Sequence, residues 1–86
     1  MAMTCWTLYI LRCGDGSLYT GITNDLDRRF EAHQAGTGAK YTRGRGPLTI
    51  IHTETHNDRS TASKREYFVK GLSRQEKLAL CKPSVR

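Results

Sequence analysis

The sequence predicts an α+β fold in the order β-β-α-β-α-α, and three stretches carry that prediction. Residues 4–22 hold two runs of β-branched, aromatic and aliphatic residues on either side of Gly14-Asp15-Gly16, which is the signature of a hairpin. Leu26, Arg29, Phe30 and His33 follow the spacing i, i+3, i+4, i+7 and so share one helix face. Ser73-Arg74-Gln75-Glu76 has the capping-box pattern and opens a short last helix.

The elements follow in order. Thr4 to Cys13 (TCWTLYILRC) reads as a strand and Ser17 to Ile22 as its return. A two-residue loop at Asp15-Gly16 would put Tyr9 and Tyr19 on opposite faces. A three-residue loop with Gly16 in the left-handed region sets Leu11 opposite Tyr19 and Tyr9 opposite Gly21, with both phenols on one face; this is the expected register. Thr23-Asn24-Asp25 supplies N-cap oxygens for a helix from about Asp25 to Ala35, which Gly36 stops. Gly36 to Gly46 (GTGAKYTRGRG) reads as a flexible basic loop, and Leu48 to Thr55 as a third strand. A second helix spans roughly Ser60 to Leu72, capped by Asp58 or Ser60, with Ala62, Phe68, Val69 and Leu72 as its apolar face and Glu66 on the same side. The third helix runs to about Cys81, and Lys82 to Arg86 is a frayed tail.

At 86 residues the chain is expected to be one domain with a small core. Charged residues make up 26% and hydrophobic residues 37%, a balance that folds rather than stays disordered. No apolar stretch approaches the roughly 20 residues that cross a bilayer, and the N-terminus lacks a basic segment followed by an apolar one. The expectation is a cytoplasmic protein without a membrane partner. Cys5, Cys13 and Cys81 cannot all pair within the chain and form no C-x-x-C, so reduced thiols are expected. The net charge is +6, and nine of the fourteen cations are Arg, whose planar fork matches phosphate oxygens. That balance favours a polyanionic partner.

Five polar residues fall where core-facing side chains would be expected, and polar groups at such positions need a reason. Tyr9 and Tyr19 read as half-buried strand aromatics, or together as groups that position or deprotonate a water. A phenol has an ordinary pKa of about 10, so the second role requires nearby cations. Arg29 lies in the apolar stripe of its helix whereas Arg28 does not; a guanidinium there wants an anion, either Glu66 or a substrate phosphate. His33 reads as a surface histidine or as a proton relay. Glu66 pairs with Lys70 at i, i+4 or, as a lone carboxylate, suits a hard divalent cation that keeps its waters and takes substrate phosphates. Phenol, guanidinium, imidazole and carboxylate are the groups that phosphodiester hydrolysis requires. Lys40, Tyr41, Arg43 and Arg45 in the loop, with Arg28, would contact a nucleic-acid backbone without reading sequence. His52 and His56 are also four apart, but on a strand end, which does not make a helical zinc pair.

Thr7-Leu8-Tyr9 ahead of Tyr19-Thr20-Gly21, then Asn24-Asp25-Leu26, Arg29, His33 and Glu66, resemble in their order the GIY-YIG nuclease superfamily, over roughly Trp6 to Lys77. The chain is most similar to the small standalone bacterial members. The resemblance implies a three-stranded antiparallel sheet flanked by helices and a metal-dependent DNA endonuclease with one Mg²⁺ or Mn²⁺. It implies that Tyr19 or Tyr9 helps activate water, that Arg29 contacts the scissile phosphate, that His33 assists proton transfer and that Glu66 holds the metal. The products would be a 3′-hydroxyl and a 5′-phosphate, and the setting DNA repair or recombination. The first signature keeps only its tyrosine, with Thr7 in place of its glycine, the second keeps its tyrosine and glycine, and Ile22 stands where some excision-repair relatives carry a lysine. The competing readings are a nucleic-acid-binding module without catalysis, for DNA or RNA, and a nuclease subunit that needs a protein partner for targeting.

Overall fold

The computed structural model describes residues 5–81. Thr4, expected to open the first strand, and the tail from Lys82 lie outside the described residues. Six elements occur in the expected order: β1 (Trp6–Arg12), β2 (Leu18–Thr23), α1 (Leu26–Gln34), β3 (Thr49–His56), α2 (Arg59–Lys70) and α3 (Arg74–Leu80). The strands form one antiparallel sheet in the order β2-β1-β3.

The central place of β1 explains its composition. Leu8, Tyr9, Ile10 and Leu11 are all buried, because helices cover both faces of the sheet there and alternation gives way to a continuous apolar run. One face packs Tyr9, Leu11, Cys13 and Leu48 against Leu26 and Phe30 of α1. The other packs Leu8 and Ile10 against Val69 of α2, with Leu72 and Leu80 beside them.

The hairpin takes the expected register. Tyr9 lies opposite Gly21 and Leu11 opposite Tyr19, and Gly16 turns the chain at φ +87°. Both tyrosines therefore face α1. The β1–β3 pairing carries a bulge between Ile10 and Leu11. Beyond it His52, Glu54 and His56 sit opposite Ile10, Leu8 and Trp6, on the face that α2 covers.

The caps are as the sequence indicated. The Asp25 side chain accepts from the Arg28 amide, Asp58 from that of Thr61, and Ser73 with Glu76 closes a full capping box. One core assignment is corrected. Phe68 is 55% exposed and Tyr67 85%. α2 buries only the narrow stripe of Ala62 and Val69, and Phe68 lies outside it with the Arg65 guanidinium 5.3 Å from its ring. The cysteines form no disulfide. Among the described residues no helix is long and apolar enough to cross a membrane.

Candidate active site

Tyr9 projects from the central strand toward α1 and runs over Gly21 on the neighbouring strand. A Cβ at position 21 would lie 2.6 Å from the Tyr9 hydroxyl and 3.1 Å from the Tyr19 ring. Glycine there lets the buried phenol lie directly over β2. The Tyr9 hydroxyl meets His33 Nε2 at 2.8 Å. His33 is 1% exposed, which decides against the surface-histidine reading: the α1 stripe points its imidazole into the sheet. The rings of Tyr19 and His33 meet edge to face at 5.2 Å, and those of Tyr9 and Tyr19 lie 6.2 Å apart.

Burial sets the charge states. Desolvation pushes the Tyr9 phenol up to about 12 against the smaller downward pull of Arg29, with the Tyr19 and Glu66 charges adding to the rise. Desolvation and then the Arg29 charge push His33 below its ordinary value. At neutral pH the pair is a protonated phenol against a neutral imidazole. Arg29 stands beside both phenols, and the Tyr9 hydroxyl chiefly raises its pKa, so it stays a cation. Among the described residues no carboxylate forms an ion pair with it, which removes Glu66 as its structural partner. Arg29 and Arg28 instead line an open cleft of about 340 Å³ with Thr23, Asn24, Asp25 and Ala32. A permanent cation that lacks an anion beside an open cleft is a ready seat for a phosphate.

Glu66 enters from α2. Its side chain is 22% exposed, its Oε2 lies 3.1 Å from Lys70 Nζ, and its charge reaches Tyr9. The pairing with Lys70 along the helix is thus observed, and Glu66 lies near enough for its charge to act on Tyr9. Among the described residues no three His, Cys, Asp or Glu side chains form a metal-binding group. A single hard oxygen donor such as Glu66 suits Mg²⁺ or Mn²⁺, which keep waters and take one or two carboxylates, and does not suit zinc.

The loop expected to be flexible has a more definite role. Lys40 and Arg43 are exposed. Tyr41 is 41% exposed and lies 5.8 Å from the Tyr19 ring, with the Arg45 guanidinium 4.6 Å over it. Arg45 also pairs with Asp15 of the hairpin turn, so it is a tie as well as a cation. Thr42 is buried, 2.9 Å from His33 Nδ1. Sequence reasoning missed Thr42: a threonine between cations in an aperiodic loop carries no sign that it meets a histidine nine positions earlier.

It also missed a second polar cluster. Glu54 on β3 accepts both arms of Arg65, at 2.9 and 3.0 Å, and meets His52 at 2.9 Å and His56 at 3.4 Å. The two histidines are therefore carboxylate partners. Burial alone would raise the Glu54 pKa, but Arg65 and the histidines hold it down to about 2.

Phenol, imidazole and guanidinium thus meet on the α1 side of a β2-β1-β3 sheet, with Glu66 near enough for its charge to act on Tyr9, and comparison with known proteins decides the family. The GIY-YIG catalytic domain matches residues 5–79. The chain belongs to the GIY-YIG family. It is 53% identical over 73 residues to a UPF0213 protein of Halobacterium salinarum, covering 85% of this chain and 95% of that one. A UPF0213 protein of Yersinia pestis is 54% identical over 77 residues, covering 90% and 81%. The solution NMR structure of a UPF0213 protein from Bacillus halodurans superposes with a TM-score of 0.58 at 50% identity, covering 88% of this chain and 81% of that one. That of a protein from E. faecalis gives 0.61 at 43% identity, covering 88% and 82%. The GIY-YIG domain is a catalytic domain of the nuclease type, whose members act on DNA.

Proposed function

We propose that this GIY-YIG chain is a Mg²⁺-dependent DNA endonuclease, with Mn²⁺ as an effective substitute. The observation that carries the reading is the contact between the Tyr9 hydroxyl and His33 Nε2, set beside an arginine that no carboxylate among the described residues neutralises. A phenol raised to about 12 is a poor free base at pH 7. Coupled to a neutral imidazole it need never become a free phenolate. As Tyr9 takes a proton from water, His33 takes the phenolic proton. General-base help of this kind contributes roughly 10²–10⁴-fold.

Arg29 receives the scissile phosphate from the open cleft and stabilises the charge that builds on its oxygens during in-line attack. Tyr19 packs against the His33 and Tyr9 rings and keeps bulk water from their inner side. Glu66 would hold the metal, which polarises the phosphodiester and stabilises the leaving oxygen when bound. Attack by the hydroxide oxygen breaks the bond to O3′ and leaves a 3′-hydroxyl and a 5′-phosphate.

Arg28, Lys40 and Arg43 are exposed, and with Tyr41 and Arg45 they offer backbone contacts and one aromatic surface. Phosphate contacts are blind to sequence. We therefore assign the chain to DNA chosen by shape, branched, damaged or partly single-stranded, as repair or recombination in the cytoplasm would supply. Cleavage of labelled deoxyoligonucleotides with and without Mg²⁺ tests the reading. Glu66→Ala is expected to lower cleavage at least about 100-fold, the rate equivalent of several kcal/mol of metal stabilisation. Full activity in that variant defeats the role given to Glu66.

A further inference from the structure

The loop between α1 and β3 reaches back and grips the buried histidine. Thr42 is 2% exposed, with its hydroxyl oxygen 2.9 Å from His33 Nδ1 and 3.1 Å from the Ala39 carbonyl oxygen. Residue 38 closes the same grip: a Cβ there would lie 2.6 Å from His33 Nδ1, so only glycine lets the loop approach the ring.

These contacts support one placement of the protons. A hydroxyl has one proton to give. The Ala39 carbonyl can only accept; it takes the Thr42 amide at 3.2 Å and the Thr42 hydroxyl at 3.1 Å, and with the hydroxyl proton placed there the Thr42 oxygen accepts from His33. A neutral imidazole has one N–H, which this arrangement puts on Nδ1, and Nε2 then carries the lone pair. The Tyr9 hydroxyl, 2.8 Å away, donates to it. The Ala39 amide would favour the opposite tautomer, but at 3.5 Å from Nδ1 it stands at the limit of hydrogen bonding and loses to the shorter contact.

We propose that Thr42 is a positioning residue that holds His33 as the Nδ1–H tautomer and so makes Nε2 the acceptor of the Tyr9 phenolic proton. Its importance for turnover rests on the nuclease reading given above; its hold on the imidazole does not. One proton leaves water for the Tyr9 oxygen, one leaves Tyr9 for Nε2, and the phenol ends as it began. The hydroxide electron pair forms the new P–O bond, the P–O3′ pair leaves with O3′, and solvent protonates that oxygen. With the opposite tautomer Nε2 would donate to the Tyr9 oxygen, and the relay would have nowhere to put its proton.

The test is ¹⁵N NMR of the ring-labelled His33 in the wild-type chain and in Thr42→Val and Thr42→Ser, alongside cleavage kinetics. The expected wild-type spectrum shows a pyrrole-type nitrogen at Nδ1 and a pyridine-type nitrogen at Nε2. Thr42→Val keeps the shape, removes the oxygen, and is expected to shift the tautomer balance toward Nε2–H. It is also expected to lower kcat about tenfold or more with little change in KM. Thr42→Ser is expected to restore both. A wild-type Nε2–H tautomer overturns the proposal whether or not the variants fold, and so does a folded Thr42→Val whose tautomer matches wild type. If the wild-type chain does not cleave while the tautomer shifts as stated, the nuclease reading falls and the hold of Thr42 on His33 stands.

Discussion

Two polar clusters lie on opposite faces of the same sheet, and they differ in what they leave unsatisfied. On the α2 face Glu54 accepts a two-armed contact from Arg65 and is flanked by His52 and His56. Each charge there has a partner, and the carboxylate pKa falls to about 2. On the α1 face the Tyr9 phenol is driven up, the His33 imidazole down, and among the described residues Arg29 is without a carboxylate in contact. Both clusters carry an arginine and a histidine, but the arginine of the second lines an open cleft. Satisfied groups hold a fold together. Groups pushed from their ordinary ionisation and left without an anion are what the proposed nuclease chemistry needs.

The largest break in that comparison should come from Tyr9→Phe. It keeps the ring and removes the hydroxyl between His33 and Arg29, so cleavage should fall roughly 10²–10⁴-fold. The orphaned His33 nitrogen should cost about 1–3 kcal/mol of stability. Single-turnover cleavage and urea unfolding measure the two effects separately, and near-normal turnover would show that the phenol is not part of the proton path.

Glu54→Gln should act in the opposite sense. Arg65 loses its counter-charge in a partly buried setting, so stability should fall by about 1–3 kcal/mol, while cleavage per folded molecule stays within about twofold of wild type. The pH dependence sharpens this. The folded Glu54 pKa is depressed, so the unfolded chain binds more protons, and its contribution is full above the ordinary value of 4.5 and lost as pH falls toward about 2. Urea midpoints across that window should fall less steeply in the variant. His33 is depressed as well, so acidification below about 6.5 should weaken the fold in both proteins. Equal slopes for variant and wild type between pH 4.5 and 2 would deny Glu54 its role.

The smallest effect should be that of Lys70→Ala. Its head group is mostly in water and pairs with Glu66 along the helix, a contact worth about 0.2–0.5 kcal/mol. Without that competitor Glu66 should bind Mg²⁺ slightly better, which would lower the half-saturating Mg²⁺ concentration about twofold. An increase would mean that Lys70 itself helps to hold the phosphate.

Much of this was legible in the chain. The hairpin register follows from the turn glycine together with the need to bring two tyrosines to one face, and the α1 stripe placed Arg29 and His33 because spacing reports directly on helix faces. What could not be read came from contacts that cross between elements. The grip of Thr42 on His33 depends on how an aperiodic loop folds back. The Glu54 cluster depends on a bulge that sets which face of β3 meets α2. Phe68 fell outside the buried stripe because a short helix covers a narrow sheet with few residues, and periodicity alone does not give the width of the stripe.

The most direct test removes one arginine from each cluster, Arg29→Ala against Arg65→Ala, and measures Mg²⁺-supported DNA cleavage and the urea midpoint of both. Arg29→Ala is predicted to lose roughly 10²–10³-fold in cleavage with its midpoint near wild type, and Arg65→Ala to lose stability while each folded molecule still cleaves. Wild-type cleavage by Arg29→Ala, or loss of cleavage by a folded Arg65→Ala, would contradict the account.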